Sequence, residues 1–383
     1  MRYIWNHINT IISSYTCQLP LAHYLKTYFR QHPALGSRDR RILSEMAYCW
    51  YRAAKGFPAE LAMRTRLECS LLICDTNESK VLGLLPESFQ HVKSLPLQEK
   101  LIFLNPIASW NTEHLAPTVP VLSEGLTKDE WLMSMLRQPS LFIRIRARRS
   151  QVIKALNEKG ISYNTRDQDV IELPNGTPID QILRAEDYVV QDLSSRRTGS
   201  FFQPRKGQKW WDCCSGAGGK SLLLMDQEPN IHLTVTDKRA SILHNLRQRF
   251  RLYDLPLPES IVVDATDASQ LSRHLTGKMF DQIICDVPCS GSGTWARTPE
   301  QLYFFEPSIV QEYATRQSAI ALNAVNFLKK GGRLIYVTCS VFRQENEEVV
   351  EHLTREGLSI ESMNLLNGVG ERADSMFVAV LKS

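Results

Sequence analysis

The chain has 383 residues, more than an ordinary domain of about 100–200, so two or three folded units are expected. Apolar residues make up 43% and charged residues 22%, with 7 Trp, 14 Phe and 12 Tyr, which excludes a disordered or collagen-like chain. No window approaches about 18 consecutive apolar residues, which excludes a membrane-spanning helix, and a net charge of +4 tilts only mildly toward polyanionic partners.

The opening stretch Met1-Arg-Tyr-Ile-Trp-Asn-His lacks the uninterrupted apolar core of a signal peptide. Nine cysteines, an odd number, are scattered along the chain, which argues against a disulfide scaffold and for reduced thiols in a cytoplasmic protein. Residues 1–125 read as one helical domain. Within it, residues 39–52 place Ile42, Leu43, Met46, Ala47 and Trp50 on one stripe, with Arg40, Arg41, Glu45 and Arg52 off it and Ser37 as the expected N-cap. Prolines at 58, 86, 96, 106 and 117–120 cut this region into short helices, and it shows no catalytic constellation. An accessory or docking module is the expectation.

Residues 123–128 read as a linker, and residues 126–186 as a small α+β unit. It contains a half-exposed strand at 141–147, a helix at 150–159 closed by Gly160, and short strands at 161–165 and 170–173. Five arginines and no acid lie between Trp131 and Arg149. A solvated strand face gives that pattern too, but a one-signed cluster suits phosphate, so Arg144, Arg146 and Arg148 are expected to contact RNA. From about residue 187 strands and helices alternate: strands at 210–214, 232–236, 261–263, 282–285 and 333–337, helices at 240–250 and 309–328. That alternation predicts a parallel sheet with crossover helices, a Rossmann-like α/β domain over 187–383.

The first of these strands runs into Asp212-Cys-Cys-Ser-Gly-Ala-Gly-Gly-Lys220, which then opens a helix. Gly216, Gly218 and Gly219 let backbone pass close to a ligand, and the helix N-terminus supplies donors. Cys214, Ser215, Ala217 and Lys220 complete the candidate loop. The next strand ends in Asp237, where a ribose diol is held in such folds, and the third in Asp264, placed to meet an adenine edge. The fourth strand enters Asp286-Val-Pro-Cys-Ser-Gly-Ser-Gly293, the fifth Tyr336-Val-Thr-Cys-Ser340. Cys289 and Cys339 thus sit just past the carboxyl ends of neighbouring strands, where open α/β sheets bind ligands. No CxxC or His pair accompanies them, so no metal site is expected. Lys238, Arg239, Arg247, Arg249 and Arg251 either line an approach for RNA or form a solvated helix face.

These strings resemble the Sun-type RNA cytosine carbon-5 methyltransferases, specifically the bacterial ribosomal-RNA branch with an N-terminal NusB-like domain. Family motifs read approximately D-x-C-A-A-P-G-G-K, then D-x-P-C-S-G-x-G with a following arginine and proline, then T-C-S followed by E-N-E. Here they are matched by the glycine loop, by the Asp286 string with Arg297 and Pro299, and by Thr338-Cys-Ser340 with Glu345-Asn-Glu347. Val190-Gln-Asp-Leu-Ser194 and Ser37-Arg-Asp-Arg-Arg41 are similar to further family stretches. Ser215, Gly216 and Ala217 depart from the family's Ala-Ala-Pro, and losing proline while adding glycine loosens the loop.

The resemblance implies S-adenosylmethionine as methyl donor, an RNA cytosine as acceptor, Cys339 as attacking thiolate, Cys289 as the thiol that assists release, Asp286 at the N3 edge of the ring, and Arg297 among the RNA contacts. Lys220 either lowers a thiol's pKa or orients Asp286. An unstacked base is the expected target. Ribosomal RNA is preferred over transfer RNA, no membrane is involved, and a monomer is the default. The alternatives are a transfer-RNA enzyme or an inactive RNA-binding assembly factor. An amino-group methyltransferase is disfavoured because no aromatic residue follows Pro288-Cys289, and a DNA-type scheme would make Cys289 rather than Cys339 the nucleophile.

Overall fold

A computed structural model describes residues 2–74 and 79–383. They form two compact units. The first is built from residues 1–119, 127–139 and 294–307, the second from 120–126, 140–293 and 308–383. This differs from the expected breaks at 125/126 and 186/187 in three places, each with an identifiable cause.

The first unit is helical, as its apolar periodicity predicts. Helix Ser37–Ala53 buries Ile42, Leu43, Met46, Ala47 and Trp50. Gly36 precedes it without a side-chain cap, and Ser37 is its first residue rather than its N-cap. Arg52, expected on the wet side, is buried, and its Nη1 donates to the carbonyls of Met135 (2.5 Å) and Ala296 (2.9 Å). Segment 294–307 joins this unit because its aromatic residues are absorbed there: Tyr303 packs edge-on to Tyr51 and Trp295 lies against Trp131. Glu300, in the same segment, accepts from the Leu21 amide at 3.0 Å.

The expected linker at 123–128 is divided between the units. Thr127 opens helix Lys128–Ser134 through a reciprocal capping box with Glu130. Ser123 is instead buried in the second unit, its amide donating to the Val341 carbonyl at 2.9 Å.

The second unit holds two sheets. Strands β1 (Leu141–Ile145), β2 (Asn164–Thr165), β3 (Val170–Leu173) and β4 (Tyr188–Val190) form a small antiparallel sheet in the order β2-β3-β1-β4. Helix Arg149–Glu158 packs on it, and Gly160 follows at φ +63°. This sheet was expected as a separate domain. It falls in the same unit as the large sheet, and ion pairs stitch it in: Arg196 to Asp169, and Arg197 to Asp167 and Glu371.

The large sheet comprises β5 (Lys209–Asp212), β6 (His232–Asp237), β7 (Glu259–Val262), β8 (Phe280–Asp286), β9 (Leu328–Thr338), β10 (Ser359–Leu366) and β11 (Met376–Lys382), ordered β10-β11-β9-β8-β5-β6-β7. β5 to β9 pair in parallel, and β10 and β11 add an antiparallel edge. It is a Rossmann-like α/β sheet. Alternate residues serve opposite faces: Trp211, Ile283, Cys285, Leu334 and Tyr336 fill one core layer, and Trp210, Ile284, Ile335 and Val337 the other. Burial on both faces explains why these strands read as unbroken apolar runs. The order reverses at β5, between β6 and β8, which opens a crevice at the carboxyl ends. Among the described residues no helix is long and apolar enough to cross a membrane, and no cluster of ligating side chains could hold a metal ion.

Candidate active site

The glycine loop is held by its own polar contacts. Ser215 donates to the Thr236 carbonyl from both its amide (2.9 Å) and its hydroxyl (3.2 Å). Gly216, at φ +52°, donates its amide to Asp237 Oδ2 at 3.1 Å, and Gly218 turns at φ +82°. A Cβ on Gly218 would meet Leu246 at 2.8 Å, so glycine there lets the loop lie against helix Ala240–Leu252. From that helix Arg249 Nη1 donates to the Ala217 carbonyl at 2.7 Å. Burial pushes the Arg249 pKa down. Asp237 also takes a forked contact from Arg239. Arg249 is therefore a part-buried brace of the loop, while Arg239 braces Asp237 with 58% of its side chain exposed.

A cleft of about 420 Å³ lies along the ends of β5 to β9. Six of the expected site residues line it together: Cys214, Asp237, Asp264, Asp286, Cys289 and Cys339. Ser215, Gly216, Ala217, Gly218 and Gly219 are not among its lining residues, and Lys220 acts on it from behind. Its Nζ is 3.0 Å from Asp286 Oδ2 and its side chain is buried. Burial lowers the Lys220 pKa, but the Asp286 carboxylate more than reverses this, so Lys220 stays an ammonium. Of the two expected roles for Lys220, the geometry supports orienting Asp286.

Asp264 accepts from Thr266 through its amide (3.0 Å) and hydroxyl (2.8 Å). Burial raises its pKa, and the Thr266 hydrogen bonds with the nearby Lys238 charge bring it below the ordinary value. Asp212, which begins the loop motif, is fully buried and accepts from Ser221 Oγ at 2.6 Å. Burial pushes its pKa up to about 7 against that hydrogen bond.

The two thiols meet. Cys289 Sγ and Cys339 Sγ are 3.2 Å apart, and the Cys339 amide points at Cys289 Sγ at 3.3 Å. The Cys339 contact and burial, with a further contribution from the Glu345 charge, push the Cys289 thiol well up, so it is protonated at neutral pH. Both cysteines sit in turns fixed by strand ends: Val287 donates to the Val337 carbonyl (3.1 Å) and Gly293 to the Cys339 carbonyl (2.9 Å).

Sequence reasoning overlooked Tyr313, Arg316 and Ile320, which project into the cleft from helix Ser308–Val325. Nothing in an otherwise ordinary crossover helix marks them. It also left Glu345 without a role.

The expected RNA contacts are corrected. Arg144 is buried, with Nη1 2.6 Å from Asp226 Oδ2 and Nε donating to Gln191 at 2.8 Å. Arg146 forks onto the same Asp226 and stacks on the Tyr253 ring at 4.4 Å. Arg148 pairs with Asp187 and Glu186. The acids that pair with Arg144, Arg146 and Arg148 come from distant sequence, so the run reads as one-signed; Arg144 and Arg146 are internal struts, while Arg148 keeps 32% of its side chain exposed. Arg297 lies in the segment that packs in the helical unit, its amide donating to Thr294 at 2.8 Å, and it does not line the cleft.

Residues 200–377 match the family described as 16S rRNA methyltransferase RsmB/F. Over 213 residues the chain is 27% identical to the ribosomal RNA small subunit methyltransferase B of Xanthomonas campestris pv. campestris, covering 54% of this chain and 48% of that one. Over 161 residues it is 32% identical to the ribosomal RNA small subunit methyltransferase B of Shewanella oneidensis, covering 42% of this chain and 37% of that one. The chain thus spans about half the length of the first of these relatives and just over a third of the second. Among solved structures it resembles that of PH0851 (TM-score 0.71, 18% identity, 98% of this chain and 97% of that one). It also resembles NSun6 from Pyrococcus horikoshii with SFG (TM-score 0.58, 15% identity, 67% and 94%). At such identities these two establish the fold. Residues 200–377, which hold the glycine loop, the cleft and both thiols, are the part of the chain that is similar to the RsmB/F family of rRNA methyltransferases.

Proposed function

We propose that this protein transfers the methyl group of S-adenosylmethionine to carbon 5 of a cytosine in RNA, ribosomal RNA by preference, through a transient bond between Cys339 and the base. The observation that carries this reading is the meeting of two thiols at 3.2 Å beside Asp286, at the carboxyl ends of adjacent strands.

The cleft fits the cofactor. Asp237 at the end of β6 suits a ribose diol and Asp264 an adenine edge. When bound, S-adenosylmethionine supplies an electrophilic methyl group on sulfur. Carbon 5 of cytosine is too poor a nucleophile to take it unaided. Addition of the Cys339 thiolate to carbon 6 makes carbon 5 carbanion-like. The negative charge that addition builds at the N3 edge would be taken up by a proton delivered through Asp286, which the Lys220 ammonium can resupply across their 3.0 Å contact. After transfer, a water molecule takes the proton on carbon 5, that C–H electron pair re-forms the carbon 5–carbon 6 double bond, the carbon 6–sulfur bond breaks with its pair returning to Cys339, and the N3 proton returns through Asp286. Cys289, a protonated neighbour in the resting site, assists this release.

Two experiments test the reading. Methyl-labelled S-adenosylmethionine is offered with unmodified small-subunit rRNA, large-subunit rRNA or tRNA, and the products are digested to nucleosides. Label in 5-methylcytidine from one RNA is expected; label only from tRNA would overturn the ribosomal preference. Cys289→Ala should accumulate a denaturant-resistant protein–RNA adduct and Cys339→Ala none. The opposite pattern would exchange the two roles.

A further inference from the structure

Glu345 is fully buried. It lies in the short turn Arg343–Glu345 that follows β9, and its carboxylate is saturated by four donors. Oε1 accepts from the Ser290 amide (2.8 Å) and from Gln317 Nε2 (2.9 Å). Oε2 accepts from the Ser290 hydroxyl and the Ser340 hydroxyl, each at 2.5 Å. Ser290 follows Cys289 and Ser340 follows Cys339, so one carboxylate grips the residue after each thiol. Its partners are three uncharged side chains and one backbone amide. Burying a carboxylate without a cation carries a desolvation penalty that a purely packing role would not require.

The surroundings fix Glu345 in turn. Tyr336 OH donates to its backbone carbonyl at 2.6 Å, and Gln317 Nε2 also reaches the Pro288 carbonyl at 3.0 Å. Gln317 stands on the same helix as Tyr313 and Arg316, so the contact registers that wall of the cleft against the Pro288-Cys289 step.

We propose that Glu345 is a positioning residue for both thiols, holding Cys289 and Cys339 at their working separation by binding the two Cys-Ser steps at once. The inference rests on the two-thiol reading above. A reacting pair must sit within a few tenths of an ångström of its productive geometry, and a displacement of about 1 Å costs roughly 100-fold in rate. The Glu345 charge also contributes to pushing the Cys289 thiol up.

Glu345→Gln is the discriminating variant. Its carbonyl oxygen can still accept from the Ser290 amide and Gln317, while its amide group faces the two hydroxyls. Those hydroxyls have other acceptors in reach, Ser292 Oγ lying 3.2 Å from Ser290 Oγ and 3.1 Å from Ser340 Oγ, so the fold is retained. Full-length wild type, Glu345→Gln and Glu345→Ala are compared in two ways. The first uses no substrate: diamide, which takes up the two thiol hydrogens, is added and formation of the Cys289–Cys339 disulfide is followed by peptide mapping. Pairing at least about fivefold slower in both variants is expected, and an unchanged rate overturns the proposal. The second is kinetic: kcat for 5-methylcytidine formation is expected to fall about 10- to 100-fold in Glu345→Gln, with KM for S-adenosylmethionine and RNA within twofold of wild type. A wild-type kcat, or losses that merely track a lower melting temperature, would also overturn it. Wild-type protein that forms no 5-methylcytidine on any RNA sinks the functional reading alone, because the disulfide measurement needs no catalysis.

Discussion

Replacing Asp226 with alanine tests whether the arginines beside β1 are structural. One carboxylate serves two guanidinium groups: Arg144 at 2.6 Å, with only 3% of its side chain exposed, and Arg146, which reaches both oxygens. Removing the acid leaves two cations in a site where water replaces the lost contact poorly. Breaking a buried pair from one side costs about 3–5 kcal/mol. Arg146 keeps its stacking on Tyr253, worth about 1 kcal/mol, which places the expected loss near 4 kcal/mol. Urea denaturation of wild type, Asp226→Ala, Arg146→Ala and the double variant measures it. The double variant should lose less than the sum of the singles, because the pair is coupled. RNA binding across a salt series supplies the opposing result. If Arg146→Ala leaves the denaturation midpoint in place and lowers the salt slope by about 0.7, the expected loss of one phosphate contact to a single strand, the strut reading is wrong.

Two further outcomes concern the supports of the cleft. Burial, with the Asp286 charge adding to it, raises Asp212 to about 7 in the folded protein, against about 3.9 in an unfolded chain. A raised acid favours folding in its protonated form, so this contribution is fully present below about pH 4 and is lost as pH rises through about 7, with a ceiling of about 4 kcal/mol. Asp212→Asn should therefore gain stability relative to wild type between pH 5 and pH 8, whatever its constant offset; parallel melting curves across that range would refute the assignment. At Gly293, a Cβ would lie 2.1 Å from the Ser375 carbonyl oxygen and 3.0 Å from that of Cys339. Gly293→Ala should cost about 2–3 kcal/mol and at least about 100-fold in methyl transfer, and a variant with wild-type melting and activity would show that this turn is not held as described.

Much of the large sheet is legible because its strands are buried on both faces and so appear as apolar runs ended by functional residues. Strands β5, β6, β7 and β8 lie within about two residues of their expected positions, and Asp237, Asp264, Asp286, Cys289 and Cys339 meet in one cleft. The edge strands β10 and β11 were not foreseen. β10 is largely exposed and breaks register between Ile360 and Ser362, so its pattern resembles a loop. Charge misled in a different way. Arg144, Arg146 and Arg148 stand in a stretch without acids, but Asp226, Asp187 and Glu186 come to them from 38 to 82 residues away, and local composition carries no trace of that. Boundaries failed where a segment's partners are remote, as when Tyr303 packs against Tyr51.

The polar residues around the thiols show why the motif strings are longer than the chemistry requires. Thr338 Oγ1 donates to Asn346 Oδ1 at 2.5 Å, and Asn346 Nδ2 returns to the Ser340 carbonyl and to Ser123 Oγ, both at 2.9 Å. Ser123 Oγ donates onward to Glu347 at 2.8 Å. None of these groups has a place in the proposed bond changes. Each closes the turn that carries Cys339, and Ser123, from the stretch 123–128 that reads as a linker, forms part of that closure. A strand end delivers a cysteine to the right edge of the sheet but leaves it on a short loop with rotational freedom. Buried hydrogen bonds to polar groups remove that freedom more sharply than apolar packing, because each unmet partner costs about 1–3 kcal/mol. Hence Thr338, Ser340, Asn346 and Glu347 are as much a part of the site as the thiols they confine.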